Sequence, residues 1–169
     1  MKYHLLVIAL GASAAQARDT TVMVKISDVL NMPEGRSQLD GSVKFYFGKT
    51  HAPSGEARAD LLSNKKTNAF NKSDIDACKW VTLSALIDLQ NDAKKKGADA
   101  VVSIESFYKK KSFVSETEIE CHAGTAVAGV ALKGQAVKLG APTPHPALGT
   151  STPTVAPPPP PPPPPAPGK

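Results

Sequence analysis

Nine consecutive prolines, Pro157 to Pro165, set the limit of what this chain can fold. Proline lacks an amide donor and fixes φ, so such a run forms a polyproline II rod of about 28 Å, at ~3.1 Å per residue, and cannot join a packed core. With Pro142, Pro144, Pro146, Pro153 and Pro167 around it, 140–169 reads as a proline-rich disordered tail, in which Gly140 to Ala156 is the looser hinge. It serves either as a solvated spacer or stalk, or as a ligand for an aromatic groove.

The other end is also set apart. Met1 to Ala17 (MKYHLLVIALGASAAQA) joins one lysine to an apolar run and ends in Ala15-Gln16-Ala17, the small-x-small pattern of a signal peptide, with cleavage expected between Ala17 and Arg18. The run is shorter than the roughly 20 residues of a membrane span. No cysteine lies at the cut to carry a lipid. The mature product is expected in the periplasm, unlipidated, with no membrane span.

What remains is one domain, 18–139, about 122 residues, enough to bury roughly two-thirds of its unfolded surface. Without Lys2 there are 19 basic and 15 acidic residues, a balance too small and too mixed to imply nucleic acid.

Within the domain, Thr20 to Ser27 and Ser42 to Gly48 alternate apolar and polar residues, the period of half-buried strands. Asn31 to Gly41 is turn-rich, and Lys49 to Lys72 is long, polar and without clear periodicity. Ser73 to Lys96 predicts a helix: Ser73 caps it, Asp74 and Asp76 face the positive end, Lys94 to Lys96 the negative end, and Gly97 stops it. Ile75, Cys78, Thr82, Ala85, Leu86, Leu89 and Ala93 form the stripe expected to face the sheet. Trp80, Leu83 and Ile87 lie on another side. They are either covered by the 49–72 segment or form a surface for self-association, hence a homo-oligomer.

Ala100 to Tyr108 is a β-branched strand, and Ile119 to Leu139, rich in Gly and Ala, reads as one long strand against which something packs closely. A helical crossover makes Ser42 to Gly48 and Ala100 to Tyr108 parallel, with the last strand antiparallel. The fold class is α+β: about four strands in a mixed sheet with one long helix on one face.

The stretch LSALIDLQNDAKKKGADAVVSIESFYKK followed by ECHAGTAVAGVALKG resembles a group of small bacterial envelope proteins. Their relatives include the Rcs outer-membrane stress-sensing lipoprotein and the small pentameric proteins labelled heavy-metal-binding. The similarity covers roughly Ala77 to Gly134 and is most specific at Lys96-Gly97-Ala98-Asp99-Ala100-Val101-Val102 and Gly129-Val130-Ala131-Leu132. Cys121 falls where the Rcs lipoprotein has one of its disulfide cysteines. The resemblance implies a non-catalytic, envelope-sensing role through protein–protein contacts, with an envelope protein or cell-wall component as partner. Sequences of this look are also labelled as an excinuclease ATPase subunit, but no ATP site is expected. Neither Gly124 to Gly129 nor Gly129 to Gly134 is followed by the Lys-Ser/Thr of a phosphate-cradling loop.

Few residues are left for chemistry. Only His51 and His122 lie within the domain, and no serine sits in a nucleophile elbow, so no enzyme activity and no cofactor are expected. Glu116, Glu118 and Glu120 share one side of an extended stretch after Lys109 to Lys111, a solvated face or a cation or partner patch. Cys78 and Cys121 with His122, and His51 as a further ligand, supply the alternative of a metal-binding protein. In an oxidising compartment the two cysteines are instead expected as a disulfide. A tight hairpin between Tyr108 and Phe113 would carry Cys121 to the wrong end of the helix. A long loop over Lys109 to Glu118 sets Cys121 opposite Tyr108, beside the helix N-terminus and within reach of Cys78.

Overall fold

The computed structural model describes residues 18–140, so the expected signal peptide and the proline run fall outside the described residues. The elements are β1 (Thr20–Lys25), α1 (Ile26–Asn31), α2 (Pro33–Gln38), β2 (Lys44–Phe47), β3 (Gly55–Asn68), α3 (Asp74–Lys95), β4 (Ala100–Ser106), β5 (Glu118–Ala123) and β6 (Val127–Leu139). The domain is α+β, a mixed sheet with α3 packed on one face.

The helix α3 forms where its caps demand. The Ser73 hydroxyl accepts from the Asp76 amide at 3.1 Å, and Gly97 takes the left-handed conformation (φ 67°) that ends the helix. Cys78, Thr82, Ala85, Leu86, Leu89 and Ala93 are buried against the sheet. Ile75 is not: side chains lean toward the helix N-terminus, and in the first turn that direction leads past the end of the helix. Leu83 is buried and Ile87 half-buried, with Lys65 of the 49–72 segment beside Ile87. Lys79, Leu83, Ile87, Gln90 and Lys94 follow one another down one line of α3. Lys79 pairs with Asp28 of α1, which takes up the end of the expected first strand at Ile26 and Ser27, the Gln90 amide donates to the Gln38 carbonyl, and Lys94 pairs with Asp40, so α1 and the turn-rich connection, which folds as α2, close that side. Of the expected apolar surface Trp80 stays exposed, at 39%, and Ile87 partly so.

Six strands build the sheet where four were expected. The first addition is β3, from the segment that shows no clear period. Ala59, Leu61, Ser63, Lys65 and Thr67 point to the helix side, and only Leu61 among them is large and apolar. The second arises because Ile119 to Leu139 is two strands, reversed at Gly124, whose amide donates to the Val127 carbonyl.

In β6 all the partners meet. One edge carries β3 antiparallel along its whole length, from Gly55 opposite Leu139 to Asn68 opposite Val127. The other edge carries β5 at one end, with His122 opposite Gly129, and β4 at the other, from Ser106 opposite Leu132 to Ala100 opposite Val137. Beyond these, β1 pairs antiparallel with β5 and β2 pairs parallel with β4, as expected of a helical crossover. The expected register is corrected: Cys121 lies opposite Val22 of β1, not Tyr108.

The cysteines meet nonetheless. Alternation along β5 turns Ile119, Cys121 and Ala123 to the helix side, and Cys121 is bonded to Cys78 in the first turns of α3, with Cα atoms 5.8 Å apart. At the fork between β4 and β5 the ladder is interrupted. There the buried Ser106 hydroxyl accepts from the Glu120 amide at 2.9 Å, a side chain standing in for a strand carbonyl.

Two stability effects follow. Ser106→Ala leaves the Glu120 amide unpaired and is expected to cost about 1–3 kcal/mol in urea unfolding. Replacing both cysteines by alanine opens a loop of sequence separation 43 and is expected to cost about 4 kcal/mol. An unchanged midpoint in either variant would contradict the corresponding role.

Candidate binding trough on the outer face of the sheet

Among the described residues no α-helix packs on the face of the sheet away from α3, and the side chains there fall into rows that the strand register dictates. Leu62, Lys133 and Glu105 form one row, Asn64 and Ala131 the next, and Lys66, Gly129 and His122 the third. In the middle of β6 the side chains are a hydrogen and a methyl group. They make the floor of a trough. Leu62, 62% exposed, and Lys66 stand on one side, with Phe107 and Tyr108 on the other.

Two contiguous stretches of about 400 and 430 Å³ make up this trough, sharing Lys66, Tyr108, Lys109 and Gly129. The glycine in its floor is not required by packing. A Cβ added at Gly129 would meet nothing closer than the Lys65 carbonyl oxygen, 3.6 Å away, whereas one at Gly134 would press to 2.9 Å on Val101. Packing beneath the sheet explains Gly134. It does not explain Gly129.

The aromatic wall is held by an ionic clamp. Tyr108 stacks on His122 with centroids 3.5 Å apart and planes 14° from parallel. His122 Nδ1 lies 2.7 Å from Asp19 and Nε2 lies 2.6 Å from Glu120. Lys109 reaches Asp19 at 3.1 Å, and Arg18 pairs with Asp74 at 2.6 Å while donating to the Gly124 carbonyl at 3.0 Å. The N-terminal end of β1 is thereby tied to the wall, to α3 and to the β5–β6 turn. At the next step along the wall, Lys133 lies 4.4 Å over the Phe107 ring and pairs with Glu105 at 2.8 Å. The turn that presents Phe107 and Tyr108 is strained, since Lys109 (φ 48°) and Lys110 (φ 63°) are both left-handed.

Of the residues singled out in the sequence, the sheet brings His122 and Glu120 together, with Glu118 on the same face of β5. Lys109 serves Asp19 rather than the glutamates. His51 is in the β2–β3 connection, and β6 and β4 separate β2 from the strand of His122. Both cysteine sulfurs are committed to their bond, so Cys78, Cys121 and His122 form no ligand set. Among the described residues no three His, Cys, Asp or Glu side chains are placed to hold a metal ion. Both ring nitrogens of His122 are taken up by carboxylates, Asp19 on one side and Glu120 on the other. The sequence reading missed Asp19, Leu62 and the open floor; the alternation of Glu118, Glu120 and His122 against Cys121 was the available signal for one wall. Among the described residues no helix is long and apolar enough to cross a membrane. Compared with protein-family models, with curated proteins and with solved structures, the chain matches none.

Hydrogen bonding from His122, and next from Lys109, holds the Asp19 carboxyl below its ordinary value of 3.8. A depressed carboxylate pKa means the clamp contributes fully above about 3.8 and is lost as pH falls through the lower folded value. In a carboxyl-carbon NMR titration Asp19 is expected to titrate below 3.8, and His122→Ala to move it back up. An unmoved Asp19 would remove His122 as the cause.

Proposed function

We propose that the protein is a non-catalytic binding module of the bacterial envelope, exported to the periplasm, that works through protein–protein contacts made in this trough. The leader-like segment at 1–17, the resemblance over Ala77 to Gly134 and a buried disulfide that suits an oxidising compartment all favour the reading. One observation carries it: the trough narrows to Gly129, and to Ala131 packed low beside it, between aromatic and aliphatic walls, although nothing inside the domain needs Gly129 to lack a side chain. Kinship with the Rcs stress-sensing lipoprotein, and a role in sensing the state of the envelope, belong to the same proposal. The metal-binding alternative gains no support from a site whose two sulfurs are bonded to each other.

Gly129→Val is the decisive variant, since its Cβ has room and a β-branched residue suits a strand. With a photoreactive phenylalanine analogue in place of Leu62, living cells are expected to yield adducts joined at position 62, and none from the same analogue at Asn91 on α3. Gly129→Val should abolish the adducts while leaving the melting temperature unchanged or higher. No adduct of any kind at 62, or the same yield with the floor filled, would overturn the trough as the binding surface.

A further inference from the structure

Resting on the reading of the trough as the binding surface, we propose that its ligand class is a polyproline II segment and that this chain's own Pro157–Pro165 is the segment that occupies it in cis. The shape of the site argues first. Phe107 and Tyr108 face Leu62 across a floor of Gly129 and Ala131, which leaves a slot with aromatic and aliphatic walls of the kind into which proline rings pack.

Hydrogen-bonding chemistry narrows the ligand further. A run of prolines offers carbonyl acceptors and no amide donors. The polar side chains along the Leu62–Ala131 stretch are Asn64, Lys66, Tyr108, Lys109 and Lys110, all able to donate, and no carboxylate lines it. An extended peptide added as a β-strand would need a free strand edge. The trough runs over β6, whose edges are taken by β3 on one side and by β5 and β4 on the other, so no ladder is open beneath it. A ligand that uses no backbone N–H is the one this face suits. Lys109 is already paired with Asp19, which lowers the attraction of the site for an acidic peptide.

Reach decides the source. The described chain ends at Gly140, whose amide donates to the Ser54 carbonyl beside the start of β3. From Leu139 back to Gly129 is ten strand residues, about 33 Å at ~3.3 Å each. The 17 residues from Gly140 to Pro157 span up to about 56 Å when extended, more than enough to turn back and lay the prolines along the floor. Tethered at that length, the run meets the trough at an effective concentration in the millimolar range, at which even a weak site fills.

The test compares backbone amide NMR spectra of the purified mature chain with those of the same chain carrying Gly-Ser repeats in place of Pro157 to Pro165. Shift differences are expected at Lys66, Tyr108, Gly129 and Ala131, unchanged by hundred-fold dilution, absent when Gly129→Val is present in both chains, and restored in the replaced chain by a free nine-proline peptide. No differences in the trough would overturn the proposal, and differences that vanish on dilution would overturn it by assigning the tail to a second copy. Either failure leaves the trough itself to be judged by crosslinking at position 62, where adducts with other envelope proteins would still stand.

Discussion

The strand β6 is the one element on which everything else leans. It is paired on both edges, so its two faces are fixed by its neighbours, and a one-residue slip would turn every side chain to the wrong side. Toward the helix it offers Ala128, Val130, Leu132, Gly134 and Ala136, small enough in most places for α3 and Val101 to come close. On the opposite face it carries Gly129, Ala131 and Lys133. The same run of small residues therefore brings the core together on one face and leaves a trough on the other.

Around that strand the sheet forks. Because β4 and β5 share one edge of β6 end to end, the ladder has a gap between them, and Ser106 closes it with a hydroxyl that accepts from the Glu120 amide. The loop that must span the gap, between Ser106 and Glu118, carries the wall of the trough. It has no extensive core of its own: Phe113 exchanges backbone hydrogen bonds with Ser106, and the Phe107 amide donates to the Ala131 carbonyl. Two left-handed lysines cost on the order of 1 kcal/mol each. The stack of Tyr108 on His122 and the ties of Asp19 to His122 and Lys109 offset that cost and hold the aromatic side chains against the floor. A binding surface and a strained turn coincide, and the strain is what presents the rings.

The disulfide acts at a different place. It joins the start of α3 to β5, beneath the fork, with the helix-facing side of β1 opposite Cys121. With Arg18 bridging Asp74 and the Gly124 carbonyl, the helix start, the β5–β6 turn and the first strand are held together by one covalent and two polar links. This is the end of the molecule where His122 and Tyr108 stand.

Local chemistry was legible wherever one segment carries its own signal. The caps and charge distribution of Ser73 to Lys96 specify α3 without reference to anything else, because an N-cap, a macrodipole and a glycine stop act within a few residues. Alternation marked β1 and β2, β-branched residues marked β4, and the pairing of two cysteines followed from their number and the expected oxidising compartment. What the sequence left undecided lies between segments. Lys49 to Lys72 hides a 14-residue strand because an edge strand with one wet face needs few apolar residues. Ile119 to Leu139 hides a hairpin because small residues give no period to break. Register needs partners, and the register of β3, β5 and β4 against β6 alone decided that Leu62, Asn64 and Lys66 stand across from Lys133, Ala131 and Gly129. Asp19 is a hundred and three residues from His122 in the chain and 2.7 Å from it in space. No local rule joins them; the sheet does.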